Sequence, residues 1–460
     1  MFFGYPLCFR RLTPLAVRKT TKRKEVLPMS RKMISMCLAL LLALSLLAGC
    51  GGESAPAGSG KSDGAVSQPE SQPDPQPGQK AEPAEEAEEE PASTGPVELN
   101  QVIYDDNGIK ITAVSAESHL QDVDLPGDDV PVFDLNLHIE RTGAEQNTVL
   151  FYTGSVNGFM QASPRSFQIG SSKSSLCPLR YSEPFLTGGN EEDVVLCVNK
   201  DCAEALELKS VGEIGVVFEI IKENGLRSYE SVNVDLGQPA DPASPITAEE
   251  GCSLDEFATI NVSNSSDSMM LVRCLLYAYD TAGNPLYGEY TDYETGEEYL
   301  CAGDLIAFYI RPGAESLPYA LMSYAHRDEN DERVDEIGSF RVEYLNSSVS
   351  SEEDLTDQVS YVMEGRWEES RNFMLFRCTW PDEYPHLEVN GTCFVYTEGG
   401  ELYSIEPIQA DLRNDDDYRD WSGAANPETG ALDVIAIDCK NETDAEFRFE
   451  IYLSSVIAKD

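Results

Sequence analysis

Apolar and polar side chains alternate with a period of two along much of the chain after residue 96. The clearest run is Phe133–Ile139, in which Asp134, Asn136 and His138 separate the apolar residues. A period of two places successive side chains on opposite faces of a strand, so one face of this segment is predicted to lie in a core and the other in water. The same pattern favours antiparallel sheets that are buried on one side.

Short apolar runs divided by Gly, Asn, Asp and Pro recur through three blocks of the chain. In the first block, the pair Asn107-Gly108 lies between two such runs, which is a strong hairpin signal. One short helix is predicted over Asp201–Lys209, where apolar residues have helical spacing. The predicted strands are Thr148–Val156, Asp193–Val198, Gly215–Ile221 and Ser228–Leu236 in the first block, Phe257–Val262, Met270–Tyr279, Leu305–Ile310 and Phe340–Tyr344 in the second, and Phe373–Thr379, Leu387–Tyr396, Leu432–Asp438 and Phe447–Leu453 in the third.

Many short strands and a single short helix indicate an all-β protein. We expect two or three immunoglobulin-like β-sandwich domains, at residues 97–238, 249–348 and 360–460. They follow a signal peptide at residues 1–49 and a disordered linker at residues 50–96. About 360 residues remain for folded domains, which suits two or three domains of ordinary size.

A different pattern occupies the N-terminal fifty residues. The apolar run Met33–Leu47 follows Arg31 and Lys32 and leads into Ala48-Gly49-Cys50. A basic region, a short apolar region and small residues are the parts of a secretory signal peptide. The run is shorter than the ~20 residues that span a bilayer, which disfavours the alternative of an uncleaved membrane helix with a chance cysteine.

The segment Leu47–Cys50 resembles the bacterial lipobox. This resemblance implies that Cys50 receives a diacylglyceryl group on its sulfur and becomes the mature N-terminus. Two acyl chains suffice for stable membrane anchoring, whereas one does not. Translation from Met29 instead of Met1 would give a signal of ordinary length, and both starts give the same mature chain.

The charge is unevenly distributed. The formal net charge is -48, but residues 1–49 carry nine Lys or Arg and one acidic residue, so residues 50–460 carry 24 basic and 80 acidic side chains, a net -56. This balance argues against nucleic acid as a partner, because binding to phosphates needs cationic side chains. Residues 50–96 are rich in Gly, Ser, Pro, Gln and Glu and cannot build a core, so they are predicted to form a stalk that spans ~35–40 Å or more.

Nine cysteines follow Cys50, scattered singly and odd in number. They are Cys177, Cys197, Cys202, Cys252, Cys274, Cys301, Cys378, Cys393 and Cys439. This scatter differs from the disulfide framework of a small secreted domain. We expect most of them to be reduced core residues, since a buried thiol behaves as a small hydrophobe. The alternative of one or two disulfide bridges stays open, and Cys197 and Cys202 are too close in the sequence for their spacing to show whether they pair.

The first block resembles the immunoglobulin-like domains of unknown function in surface lipoproteins of Gram-positive, clostridial-type anaerobes. The resemblance rests on the opening Tyr104–Ile111, the strand Phe133–Ile139, the phrase Ser155–Phe159 and the late strand Ile214–Ile220. It implies a fold and an extracytoplasmic location, and no catalytic residues. The second block is similar to short extracellular sandwich modules with a Phe-Leu-Tyr-Asp signature, here in the form Leu276–Asp280.

Motifs with catalytic associations lack the context that their chemistry needs. Ala55–Ser62 fits a permissive phosphate-loop pattern and Gly60–Gly64 fits a nucleophile-elbow pattern, but both lie in the predicted linker without a strand and a helix around them. The histidines lie apart, without zinc-ligand spacing or a nucleophile motif beside them; they are His119, His138, His326 and His386. We therefore predict no catalytic residues, no cofactor and no metal ligands.

Two acidic segments and several aromatic residues are the remaining candidates for a binding site. Asp328–Glu332 and Asn414–Asp417 concentrate the oxygen ligands that calcium prefers, but both lack the glycine of the twelve-residue calcium loop. Solvated acidic loops are therefore favoured over calcium binding. Several aromatic residues could form the floor of a glycan or peptide site if they are not core residues. They are Trp367, Trp380, Trp421, Tyr290 and Tyr293.

These patterns lead to one expected function and two alternatives. The chain is expected to be a membrane-anchored extracytoplasmic lipoprotein without catalysis, which binds or displays a cell-wall, glycan or protein ligand through sandwich edges and end loops. A solute-binding lipoprotein of a transporter would need two α/β lobes around a cleft. A surface glycosidase or peptidase would show converging carboxylates of shifted pKa in a deep cleft.

Overall fold

The chain folds as an all-β protein in a computed structural model, which describes residues 96–120, 127, 130–160, 165–291, 296–368, 372–381, 383–413, 434–438 and 447–459. All of these residues belong to one compact unit, Glu89–Asp460. No helix in the described ranges has the length and apolar content needed to cross a membrane.

The described part of the first block contains ten strands and one short α-helix. They are β1 (Val97–Asp106), β2 (Ile109–Ser118), β3 (Pro131–Arg141), β4 (Thr148–Val156), β5 (Phe159–Met160), β6 (Phe167–Ser171), β7 (Ser174–Pro178), β8 (Glu191–Asn199), α1 (Lys200–Ala205), β9 (Glu213–Ile221) and β10 (Arg227–Asp235). A 3-10 helix at Leu179–Tyr181 follows β7.

The second and third blocks contain the remaining strands. The second has β11 (Ile246–Leu254), β12 (Phe257–Asn264), β13 (Met270–Tyr279), β14 (Tyr287–Thr291), β15 (Glu298–Ala302), β16 (Asp304–Ile310), β17 (Leu317–Met322) and β18 (Ser339–Val349). The third has β19 (Ser360–Glu368), β20 (Asn372–Thr379), β21 (His386–Thr397), β22 (Leu402–Arg413), β23 (Val434–Asp438) and β24 (Phe447–Ala458), after a 3-10 helix at Thr356–Gln358.

The local predictions from alternation and turn chemistry are confirmed. In β3 the side chains at 133, 135, 137 and 139 are buried, whereas those at 134, 136 and 138 are half-buried on the other face. Asn107 and Gly108 have φ of 50° and 68°, and they connect β1 to β2 in an antiparallel hairpin. Positive φ at both central residues is what the favoured two-residue hairpin turn requires. The helix is shorter than predicted and ends at Ala205.

The strands of the described ranges assemble into five sheets. In the first sandwich, the six-stranded sheet β1-β2-β3-β8-β6-β7 packs on β4, β9 and β10 of a nine-stranded sheet, around a core that includes Phe133, Phe151, Phe167 and Phe218. In the second, β13, β16 and β18 of the same nine-stranded sheet pack on the sheet β11-β12-β17. In the third, the sheet β22-β21-β24 packs on the sheet β19-β20-β23.

The nine-stranded sheet joins the first two blocks through backbone hydrogen bonds. Its order is β14-β15-β10-β9-β4-β5-β18-β13-β16, so strands of the second block lie on both sides of strands of the first. The two seams are parallel pairs, Phe159 with Ser347 and Arg227 with Cys301. These two sandwiches therefore share one hydrogen-bonded sheet and are not independent domains joined only by a linker.

Strand β13 is buried on both faces, which explains its nearly continuous apolar sequence. Cys274 and Leu276 belong to the core of the second sandwich, whereas Leu275 and Tyr277 cluster with Val217 of β9 in the first. The strands predicted at Phe257–Val262 and Met270–Tyr279 exist, but β12 pairs with β11 and β17 while β13 pairs with β16 and β18. They therefore lie in different sheets.

The sheets β11-β12-β17 and β22-β21-β24 also pack on each other, so the third sandwich contacts the second directly. Their apolar contact contains Phe257, Ala320, Phe394 and Ile405. None of the described cysteines forms a disulfide. The buried thiols are those of Cys197, Cys202, Cys274, Cys301, Cys378 and Cys393, and Cys252 is exposed.

Candidate functional site at the junction of the first two sandwiches

Several residues that the sequence singles out lie outside the described ranges. These are Cys50, Cys439, Trp421, Tyr293 and the acidic segment Asn414–Asp417, and of Trp367 only the backbone is described. The lipid-attachment prediction therefore remains a prediction. Of the other aromatic candidates, Trp380 is half-buried, and its Nε1–H donates to the carbonyl oxygen of Tyr384 at 2.8 Å.

The acidic segment Asp328–Glu332 forms a turn whose carboxylates are satisfied locally. The Asp328 carboxylate accepts the backbone N–H groups of Asn330 and Glu332 at 2.8 and 2.9 Å, and these bonds lower its pKa. The Asp331 carboxylate lies 3.0 Å from the Arg327 guanidinium. Among the described residues, no three His, Cys, Asp or Glu side chains are arranged to hold a metal ion.

Asp134 brings a histidine and a cysteine together on the outer face of the six-stranded sheet. Its Oδ2 lies 4.0 Å from Nε2 of His119, and the Cys197 thiol faces the same carboxyl group. Burial and this carboxylate raise the pKa of Cys197. A thiol that stays protonated, with the carboxylate between it and the imidazole, is not arranged as an activated nucleophile.

Buried titratable groups gather instead where the first two sandwiches meet. Each of these groups has a raised pKa, and burial is the largest cause of the rise. The groups are Tyr104, Tyr229, Glu230, Tyr277, Tyr290, Cys301 and Asp304. Shifted pKa values cluster at functional sites more than elsewhere, and buried networks that stabilise structure also produce them. We call this group the junction cluster.

Asp304 is the most enclosed carboxyl group of the junction cluster. It begins β16, is 4% exposed and accepts hydrogen bonds from the Tyr290 hydroxyl, the Ser323 hydroxyl at 3.1 Å and the Tyr324 N–H at 3.1 Å. Burial raises the pKa of Asp304, while these donors oppose the shift. The Tyr290 hydroxyl is committed to this buried carboxyl, which favours a core-edge residue over the floor of a binding site.

An ion pair and a tyrosine stack lie beside Asp304 on strands from both blocks. The Arg227 guanidinium of β10 is 3.4 Å from the buried Glu219 carboxylate and lies over the Tyr299 ring of β15 at 3.9 Å. Tyr299 stacks on Tyr290 with ring centroids 5.9 Å apart. The β14–β15 hairpin of the second block is thus held on the first sandwich by charge, stacking and the parallel pairing at Cys301.

A second polar group connects β10 to β13 and β18. The Ser231 hydroxyl donates to Glu343 Oε2 at 2.7 Å, and the Tyr277 hydroxyl donates to the carbonyl oxygen of Tyr229 at 3.1 Å. The Arg341 guanidinium lies 4.2 Å from the centre of the Tyr277 ring. The two hydrogen bonds join the first sandwich to the second, and Arg341 orders the Tyr277 side chain that makes one of them.

One concavity at the junction has little room for a ligand. The concavity where β4, β9 and β10 meet β18 has a volume of about 10 Å³, lined in part by Ser155, Gly215, Asn233 and Asn346. A cavity needs roughly 10–15 Å³ of such space to hold a single water molecule. This concavity therefore supports packing between the strands rather than the binding of a small organic molecule.

The outer strands of the six-stranded sheet are the exposed edges of the first sandwich. Strand β1 exposes Val97 and Val102 and has register irregularities after Glu98 and Val102. Bulges and charged side chains are devices that keep an edge strand from pairing with another chain. At the opposite edge, β7 exposes Leu176.

Comparisons with known proteins give no family for this chain. No family model and no curated protein matches it. Among solved structures, Salmonella alpha-2-macroglobulin reacted with methylamine aligns with a TM-score of 0.14 and 9% identity, over 76% of this chain and 23% of the macroglobulin chain. This chain thus spans less than a quarter of that protein, and a TM-score this low supports no inference about fold or function.

Proposed function

We propose that the protein is a lipid-anchored extracytoplasmic lipoprotein whose β-sandwiches bind or display a ligand without catalysis. The observation that carries this proposal is the sequence Leu47-Ala48-Gly49-Cys50 behind the apolar run Met33–Leu47. A diacylglyceryl group on Cys50 would supply the two acyl chains needed for stable anchoring. The resemblance of the first block to domains of clostridial-type surface lipoproteins supports the same location.

The layered sheets support a binding or display role over the alternatives. A solute-binding lipoprotein with two α/β lobes would have alternating strands and helices, whereas the described residues form sheets with one α-helix, Lys200–Ala205. Edge strands and loops of rigid sandwiches are common recognition surfaces. A cell-wall polymer, a glycan or a protein is the proposed class of ligand, and the net charge of the mature chain disfavours polyanions such as nucleic acid.

Anchoring is tested by expressing the full chain with Cys50→Ser in a Gram-positive host. We expect the wild-type protein to enter the detergent phase and to carry the mass of a diacylglyceryl group on its N-terminal peptide, and the variant to lose both properties. The matched control is Cys252→Ser, which removes an exposed thiol in the described region. A wild-type protein with an unmodified, uncleaved N-terminus in the cytosol would refute the proposal.

The binding role is tested separately with a panel of cell-wall polymers, glycans and peptides. The protein used is the full chain in detergent, with a Cys50→Ser preparation as the soluble comparison. Saturable binding to one class, equal in both preparations, is the expected result. Turnover of any panel member by the wild-type protein would contradict the non-catalytic proposal.

A further inference from the structure

The small concavity between the first two sandwiches lies beside their thinnest seam, where β5 and β18 form one parallel residue pair. Just before β5, Ser155 of β4 lies opposite Gly215 of β9, which in turn lies opposite Asn233 of β10. These three residues line the concavity from the first sandwich, and Asn346 of β18 lines it from the second. The concavity is therefore formed by both sandwiches.

Gly215 brings two polar side chains together above β9. A Cβ atom at this position would lie 2.8 Å from Asn233 Oδ1 and still closer to Ser155 Oγ. The oxygens from the two strands that flank β9 thus converge over a residue without a side chain. Ser155 is buried, whereas Asn233 is exposed, so the concavity runs from the surface into the junction.

Asn346 places a polar atom without a partner at the inner side of this concavity. Its side chain is 1% exposed, and within the described ranges its Oδ1 accepts no hydrogen bond. Buried amide oxygens are rarely left unpaired, because the loss of hydration costs more than a net hydrogen bond contributes. The position therefore calls for a donor that the neighbouring strands do not supply.

The volume and the lining of the concavity select the donor. About 10 Å³ is at the lower limit of the roughly 10–15 Å³ that one water molecule needs, and it is too small for an organic ligand. A buried water needs two to four polar partners, and Ser155, Asn233 and Asn346 offer three. The residues that line the concavity are uncharged, which suits water better than an ion.

We propose that this concavity binds one ordered water molecule, which donates a hydrogen bond to Asn346 Oδ1 and is also bonded by Ser155 and Asn233. The water would join β4 and β10 of the first sandwich to β18 of the second, beside the seam where the backbone contributes one residue pair. A bridging water is nearly as favourable in enthalpy as a direct hydrogen bond. This part of the junction is therefore water-mediated.

A crystal structure of the full chain with Cys50→Ser, at a resolution that shows ordered water, tests the site directly. We expect a water within hydrogen-bond distance of Asn346 Oδ1, Ser155 Oγ and Asn233 Oδ1. In solution, oxygen-17 relaxation dispersion counts long-lived internal water molecules, and Asn346→Leu should hold one fewer than wild type. Asn261→Leu, at a half-buried position of β12 outside the concavity, should keep the wild-type number.

The direction of a stability change separates a water bridge from an unpaired asparagine. Leucine has nearly the shape of asparagine, so Asn346→Leu removes the polar atoms and leaves the packing in place. If water pairs Asn346, the urea midpoint of unfolding should fall; if Oδ1 has no partner, the leucine relieves an unsatisfied group and the midpoint should rise. A midpoint that rises or stays the same would overturn the proposal.

A second variant keeps the test decisive if Asn346→Leu does not fold. Ser155→Ala removes another partner of the water and should also lower the number of long-lived water molecules by one. A wild-type number retained in Ser155→Ala would overturn the proposal. So would a crystal structure in which Asn346 Oδ1 is bonded to a protein group instead of water.

Discussion

The two junctions between sandwiches are built from different chemistry. The first joins the blocks through Glu219, Asp304 and their partners around a small apolar cluster. The second, between the sheets β11-β12-β17 and β22-β21-β24, contains an apolar contact among Phe257, Ala320, Phe394 and Ile405. Both bury surface between sheets, and among the described residues the buried carboxyl groups, Glu219 and Asp304, lie at the first.

Because of this difference, the stability of the two junctions should depend on pH in different ways. Apolar contact stabilises in proportion to the area removed from water and does not respond to pH. Buried carboxyl groups add little net stability, since desolvation offsets their attraction, but they penalise every arrangement that leaves one unpaired. We therefore expect the second junction to be permanent and the first to depend on protonation.

The largest effect is expected from Phe394→Ala at the second junction. Phe394 is 8% exposed and its ring packs edge-on against Tyr452 with centroids 5.9 Å apart. Its truncation should lower the free energy of unfolding by about 3–4 kcal/mol, equally at acidic and alkaline pH. Urea unfolding at several pH values measures this loss.

The control for this variant is Val349→Ala, which removes an apolar side chain that is 63% exposed and should change the free energy of unfolding by less than about 0.5 kcal/mol. A loss for Phe394→Ala that varies strongly with pH would break the distinction between the two junctions.

The next effect is expected from Asp304→Ala at the first junction. The variant leaves the Tyr290 and Ser323 hydroxyls and the Tyr324 N–H without their acceptor. Unsatisfied buried donors cost more than a net hydrogen bond contributes, so we expect a loss of about 2–3 kcal/mol in the free energy of unfolding. Asp335→Ala, at a side chain that is 93% exposed, is the matched control. If the two variants are equally stable, Asp304 does not hold the junction.

The sequence predicted the strands better than their partners. Alternation in β3 and the Asn107-Gly108 turn are local signals, and both gave the correct structure. The pairing of β10 with β15 joins residues 227 and 301, and no local pattern encodes such a parallel contact. The continuous apolar run of β13 did carry a signal, since such runs are typical of strands buried on both faces.

The candidate site was missed for a related reason. Glu230 and Asp304 are ordinary carboxyl groups among the 81 acidic residues of the chain, and only tertiary packing makes them unusual. Asp304 does directly precede the apolar run Leu305–Ile310, where a carboxylate is uncommon, and this position was the available clue. Tyr290 was noticed as an aromatic residue, but its buried partner could not be inferred from spacing.

Glu230→Gln should have an intermediate effect of opposite sign. The raised pKa means that the folded state binds this proton more tightly than the unfolded state does. The resulting stability is fully present below the unfolded-state pKa near 4.5 and is lost as pH rises through about 7. The variant should therefore match wild type near pH 4.5 and exceed it by about 2 kcal/mol near pH 8, a figure reduced for the part of the group that water reaches.

Urea unfolding of both proteins across this pH range gives the difference directly, and other titrating groups cancel in it. A difference that is constant with pH would show that Glu230 contributes no pH-dependent stability.

The smallest effect is expected from Thr392→Val, which probes a polar side-chain contact at the second junction. The Thr392 hydroxyl is fully buried and accepts the Ala320 N–H at 2.7 Å, across the two sheets. Valine has nearly the same shape, so the change leaves the packing in place and removes the acceptor. We expect a loss of about 1–2 kcal/mol that does not vary with pH, because neither partner titrates. Thr392→Ser restores the acceptor and should recover most of the loss that is not due to the missing methyl group. If valine is tolerated at no cost while serine destabilises, then this junction depends on packing alone, and the contrast with the carboxyl-rich junction becomes sharper.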